Sequence, residues 1–279
     1  MSSILTNSSA LVALQTLKGI NSNLAKTQSE ISTGKSVASA QDNAAVWAIS
    51  KTMETDQTTF KTIQTNLNVA GQTVATARDG AESVQKLLDE VKQLATGADR
   101  SDSNFATIQT QITAKRDQIA AIVKGTQANG VNLLSTNGVI GGSTYSVLGS
   151  LDRSSTTMTA SRINVASVDF EANIVDATIT TITDLDSAET AVTEIEALMK
   201  IAISGAASLG AAGERISDQV EFVSKLSDSL KMAAGSLVDA DMEEASARLQ
   251  ALQTQQQLGI QALSIANQAP SSIMSLFRG

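Results

Sequence analysis

The chain has 279 residues, 42% apolar but only 3% aromatic, with one proline and a formal net charge of −8. It contains no cysteine and no histidine, which excludes disulfides, thiolate nucleophiles and Cys-type zinc sites and removes the commonest general base and transition-metal ligand. The acidic balance argues against nucleic acid or an anionic membrane as partner, and no stretch approaches the roughly 18 apolar residues expected of a bilayer span.

Taken in chain order, the segment from about Ser3 to Ser32 is expected to be a helix, with Gly34 as its C-cap. Its start, MSSILTNSSALVALQTLKG, lacks the basic region and continuous apolar run of a cleavable secretory signal, so export, if any, would not cleave it. Ala10, Leu14, Leu17, Leu24 and Ile31 form one apolar stripe at coiled-coil spacing. After a polar link, Lys35 to Gln41, Asp42 is the expected N-cap of a second helix. Val46, Ile49 and Met53, then Phe60, Ile63, Leu67, Ala70, Val74, Ala77, Ala81, Val84, Leu88, Val91 and Ala95, keep a three-then-four spacing to near Gly97. About 50 residues at 1.5 Å rise make a helix roughly 75 Å long, which is a rod. Phe105, Ile108, Ile112, Ile119 and Ile122 resume the period on a third helix ending by about Gln127.

From Asn129 to about Asp186 glycine, serine and threonine dominate, and alternation in 144–148 and 162–165 predicts two short strands around a Gly141-Gly142 hairpin tip. Another heptad series follows: Val192, Ile195, Met199, Ala202, Ala206, Leu209, Ile216, Val220, Val223, Leu230, Ala234 and Leu237, with Gly213 and Ser227 at seam positions. Asp239 and Asp241 mark a joint before a terminal helix whose stripe is Met242, Ala245, Leu249, Leu252, Leu263 and Ala266. The fold class expected is mainly α: a long antiparallel helical coiled-coil rod with a small central β-hairpin region and paired terminal helices.

Three segments carry a family resemblance. ISTGKSVASAQDNAAVWAI (31–49), GTQANGVNLL (125–134) and LVDADMEEASARLQALQTQQQLGIQALSIANQAPSSIMSLF (237–277) resemble bacterial flagellins, in the right order and over about two thirds of the chain. The resemblance implies a structural subunit that polymerises into the extracellular flagellar filament, exported through the type III channel. An export chaperone, a filament cap and hook-junction proteins are the further partners it implies, with no cofactor. It implies an inner domain, 1–41 plus 238–279, and a rod domain, 42–237, with the β region at about 129–186 and no outer variable domains. Subunit packing is then expected at Leu11, Leu14, Leu17, Leu24, Ile31, Leu249, Leu252, Leu263, Ala266, Ile273 and Leu276, with the terminal segments 1–33 and 240–279 folding only on polymerisation. Val46-Trp47 stand where many flagellins carry a Gly-Leu-like pair, a pattern similar to alphaproteobacterial members. The segment Leu88, Glu90, Val91, Lys92, Leu94, Ala95 resembles an innate-receptor patch of the family, with Glu90 where many members carry arginine. Such a charge reversal is expected to weaken that contact.

Blander readings cover the remaining features. Asp239, Asp241, Glu243 and Glu244 set carboxylates at a helix N-terminus. GAASLGAAG lacks the Gly-Lys-Ser/Thr of a phosphate loop. Asn7-Ser8-Ser9 matches a glycosylation acceptor by chance, and serines and threonines at 150–161 are solvated rather than sugar-bearing. Trp47 is a packing anchor. Two other readings compete: a hook–filament junction protein, and a coiled-coil type III translocator or signalling protein. An enzyme is the weakest, because no convergent set of groups can carry chemistry.

Overall fold

A computed structural model describes residues 7–98, 100, 103–136, 143–152 and 159–276, with side chains to 268. The elements are α1 (Ser8–Thr33), α2 (Ala44–Gly97), α3 (Phe105–Gly125), β1 (Thr144–Asp152), β2 (Thr159–Ala166), one π-helical turn (Glu171–Val175), α4 (Leu185–Val238) and α5 (Met242–Leu276). The chain divides into two compact units: Met1–Gln57 with Ser229–Gly279 (unit one), and Thr58–Asp228 (unit two).

Unit two is built on an antiparallel seam between α2 and α4. On α2 the expected series from Phe60 to Ala95 is buried at every position. Val46, Ile49 and Met53, in unit one, break that expectation: Ile49 is 50% exposed and the other two are half-buried. Ser50 takes the buried place there, its hydroxyl donating to the Trp47 carbonyl at 2.9 Å. On the α4 residues of unit two the buried line is Ala188, Ala191, Ile195, Leu198, Ala202, Gly205, Leu209, Ile216, Val223 and Ser227. Val192, Met199 and Ala206 flank this line, and Ala191, Leu198 and Gly205 hold the positions expected of them. At each of these pairs both neighbours are apolar or small, so spacing alone does not choose between them. Likewise Leu237 stays exposed and Val238 is buried.

The β region is a two-stranded antiparallel hairpin running from the Thr144–Ala166 pair to the Asp152–Thr159 pair. Its connection is therefore residues 153–158. Gly141-Gly142 precede β1 in the chain and cannot be the tip; both segments lie outside the described residues. A register shift at Gly149 bends β1, and the Gly149 carbonyl accepts from Gln219 Nε2 of α4 at 3.0 Å.

The loop after α3 locks these pieces together. Asn129 and Gly130 turn with φ of 52° and 77°, left-handed values that suit Asn and Gly. Buried Asn132 donates to the Val123 carbonyl at 2.7 Å and accepts from the Leu134 amide at 2.8 Å. The Leu134 carbonyl accepts from the Phe170 amide, and Phe170 is wholly buried. Arg116 donates to the Ala177 carbonyl at 2.6 Å, just past the π-helical turn.

One expectation about membranes needs correction. By length and composition α4 is apolar enough to cross a membrane, with a mean hydropathy of 1.3 over 18 residues. A third of that window is buried in the chain. Its apolar residues include those of the α2-facing seam, such as Ile195, Ala202 and Leu209.

Two glycines of α4 give opposite predictions. A Cβ at Gly205 would lie 2.6 Å from Phe170 Cε1 and from Val168 Cγ1, whereas a Cβ at Gly210 meets nothing within 4 Å. Gly205→Ala is expected to lower the thermal midpoint of unit two, since overpacking costs about 1–3 kcal/mol. Gly210→Ala is expected to raise it, by up to about 1 kcal/mol of helix propensity. Circular-dichroism melts of the two variants check both signs.

Candidate assembly surface

Unit one pairs the two ends of the chain. α1 turns Ala10, Ala13, Leu17, Ile20, Leu24, Thr27 and Ile31 inward, and α5 turns Ala245, Leu249, Leu252, Gln256, Gly259, Leu263 and Ala266, all buried or half-buried. Both series alternate steps of three and four, as an antiparallel coiled-coil seam requires. At the far end Asn7 caps α1 through its side-chain oxygen and donates Nδ2 to the Ala266 carbonyl at 2.7 Å. Midway, Gln256 Nε2 donates to Asn21 Oδ1 at 2.7 Å. A Cβ at Gly259 would lie 3.1 Å from Leu17 Cδ1, so α1 approaches α5 closely there.

At the base, Gly34 ends α1 in the left-handed region with φ 69°. The Ser36 amide donates to the Val238 carbonyl at 2.7 Å, and the Ala240 amide to the Gly34 carbonyl at 2.9 Å. Lys35 and Asp239 form an antiparallel bridge between them. Asp241 then caps α5, its carboxylate accepting from the Glu243 and Glu244 amides at 2.9 and 3.2 Å.

The link between α1 and α2 differs from expectation. Asn43 caps α2, with Oδ1 accepting from the Val46 amide at 3.2 Å. Asp42 instead closes the turn before it. Its carboxylate accepts from the amides of Ser39 and Ala38 and from the Ser39 hydroxyl, and the Ser39 amide, then its hydroxyl, hold Asp42 below the ordinary carboxylate value. Glu54 bridges Lys51 at 2.6 Å and Lys35 at 3.3 Å; the Lys51 bond first, then Lys35, lowers its pKa.

The expected packing residues separate into two sets. Leu252 is buried, and Leu17, Leu24, Ile31, Leu249, Leu263 and Ala266 are half-buried between the two helices. Leu11 and Leu14 point outward, 60% and 39% exposed, and they are not alone: Val12, Leu258, Ile260 and Ile265 are 55% to 69% exposed. The side chains of Ile273 and Leu276 lie outside the described residues. Residues 1–17 and 249–276 contain no charged side chain. Over the described side chains of 7–17 and 249–268 the outward face is therefore apolar or neutral-polar, the composition of a face that packs against protein.

The receptor-like segment lies in unit two. Leu88, Val91 and Ala95 are buried in the α2 seam. Glu90 pairs with Lys115 at 2.5 Å and Lys92 with Glu196 at 2.8 Å. Leu94 is half-buried.

These features define a class: a structural subunit of long helices whose terminal pair keeps an apolar outer face. Residues 4–138 match the bacterial flagellin N-terminal helical region, and residues 192–277 the bacterial flagellin C-terminal helical region. A flagellin of Brucella melitensis is 40% identical over 286 residues, covering all of both chains. Flagellin FljK of Caulobacter vibrioides is 37% identical over 283 residues, covering all of this chain and 99% of that one. A crystal structure of Bacillus cereus flagellin aligns with a TM-score of 0.48 at 20% identity, over 57% of this chain and 88% of that one. The chain belongs to the bacterial flagellin family. It is a structural component of the flagellar filament, not an enzyme, and its partner is further copies of itself.

The Lys51–Glu54–Lys35 group gives a pH prediction. A carboxylate held below its ordinary 4.5 contributes stability that is present above that value and lost as pH falls through the folded one. Glu54→Gln is expected to melt slightly below wild type near pH 7, by under about 1 kcal/mol for so exposed a pair. The two curves converge in acid, below the folded pKa; thermal midpoints measured across pH check it.

Proposed function

We propose that filament growth couples folding of the terminal helices to assembly, and that residues 1–41 with 238–279 serve as the inner filament domain and residues 42–237 as the rod domain. The observation that carries this is the outward apolar face of α1 and α5, at Leu11, Val12, Leu14, Leu258, Ile260 and Ile265, on helices whose pairing buries few residues fully. Among the described side chains of α1 and α5, only Thr27, Ala245 and Leu252 are buried. A helix pair so thinly buried gains little on its own. Neighbouring subunits supply the missing surface, and the ends order as they dock.

On this reading the protein is secreted and extracellular, leaving the cell through the flagellar type III channel with an export chaperone. It adds to the filament beneath a cap, above hook-junction proteins. The relatives lend no support to the junction-protein or translocator readings. Removal of residues 1–33 or 240–279 is expected to leave a folded, soluble unit two that does not elongate seeded filaments, checked by electron microscopy. Strong amide-exchange protection of both ends in monomers would overturn the coupling.

Of the receptor-like segment, Glu90 is exposed and Lys92 and Leu94 are half-buried. Glu90→Arg is expected to increase innate-receptor signalling in a reporter-cell assay, because it restores the positive charge that the family resemblance places there.

A further inference from the structure

We infer that unit two carries a second subunit contact, in which Phe222 and Val69 of one chain seat in a groove on the opposite face of the α2–α4 pair of another. The inference rests on the filament reading, which fixes the occupant as a second copy of this chain.

The groove is a depression of about 480 Å³ between α2 and α4, floored by Gly71, Ala75, Gly210 and Gly213. A second depression of about 440 Å³ shares Arg78 and Gly210 with it and continues past Ala206 and Ala207. The floor is low because the side chains are absent: a Cβ at Gly71 would meet only Ile216, at 3.6 Å, and one at Gly210 nothing. Ile203, one turn beyond Ala206 and 46% exposed, extends the apolar strip on that face.

The knob lies on the other side. Phe222 is 54% exposed and Val69 44%. Phe222 follows Gly213 by nine residues, about 180° around α4, and Val69 precedes Gly71 by two, about 200° around α2. The contacts of Gly71 with Ile216 and of Gly213 with Val74 set the antiparallel register that brings Val69 and Phe222 to within about one helical turn along the pair. The hairpin reaches α4 at Gln219 but leaves Phe222 uncovered. Phe222 is the one aromatic among the strongly exposed apolar side chains of the described residues.

A knob on one face and a groove on the opposite face cannot satisfy each other within a symmetric pair. They make a heterologous contact, which repeats from copy to copy without closing and so suits an open polymer. A ring entering a groove floored by glycine and alanine, with Gln72, Arg78 and Glu214 also in its lining, loses much of its exposed area, and buried aromatic anchors contribute strongly at interfaces.

The absence of cysteine makes the test direct. Phe222→Cys and Gly210→Cys chains are purified separately, mixed, polymerised on seeds and treated with a short bis-maleimide. Cross-linked dimers joining one variant to the other are expected in the mixed filaments, and not in filaments of either variant alone or in the unpolymerised mixture. Independently, Phe222→Ala and Gly210→Met are each expected to raise the critical concentration about tenfold, and the double variant no further, because both remove one contact. Filaments that form without the mixed cross-link, or unchanged critical concentrations, overturn the contact while leaving the filament reading intact. Failure of the wild-type chain to polymerise on the same seeds would instead defeat the filament reading and, with it, this one.

Discussion

The α2–α4 seam is the constraint on which unit two depends. Helices of 54 residues gain little from propensity alone and need a continuous partner. The seam provides it with Ala, Val, Leu and Ile at almost every inward position and little aromatic bulk. Small residues bring the backbones close, and closeness is what lets a narrow stripe exclude water along its length. The remaining parts of unit two are fastened to this pair. Phe170 lies against Gly205, the end of α3 reaches Gly80, and Gln219 holds the bulged strand β1.

Glycine serves two purposes in these helices. At Gly80 and Gly205 a side chain would collide, with Thr126 Oγ1 at 2.6 Å in the first case and with the Phe170 ring in the second. Those positions buy close contact between elements. At Gly71 and Gly210 the space beyond the backbone is open or nearly so, and the helix bears the propensity cost without any internal contact in return. A cost with no internal return points to a use outside the chain.

Much of this was legible in the residues, and the failures have physical causes. The α2 stripe from Phe60 to Ala95 could be read outright because apolar residues there alternate with polar ones. On α4 the pairs Ala191-Val192, Leu198-Met199 and Gly205-Ala206 offer two candidates for one place, and only packing decides. In unit one the seam passes through Thr27, Gln256 and Gly259, which carry no hydrophobic signal, so the inward face was traced through larger neighbours. Leu14 drew notice by its size, while Ala13 beside it is the more inward. The cap at Asn43 was missed because Asp42 is an equally good capping residue by type; the choice turns on Asp42 having three donors at Ser39 and Ala38. The flagellin motifs fixed the family, but they did not distinguish residues that complete the chain's own pair from those that face outward.

The hydrogen bond from Asn7 to Ala266 spans 259 positions, and the bridge of Lys35 with Asp239 closes the same pair at its base. Loop closure over such a separation adds only logarithmically to the entropy cost, so the arrangement is thermodynamically cheap. Its consequence is informational. Unit one is made from the first and last stretches of one polypeptide, so a chain that ends before Met242 presents α1 without α5. The joint thereby reports on length: a growing polymer that admits only paired terminal helices excludes any copy that lacks α5.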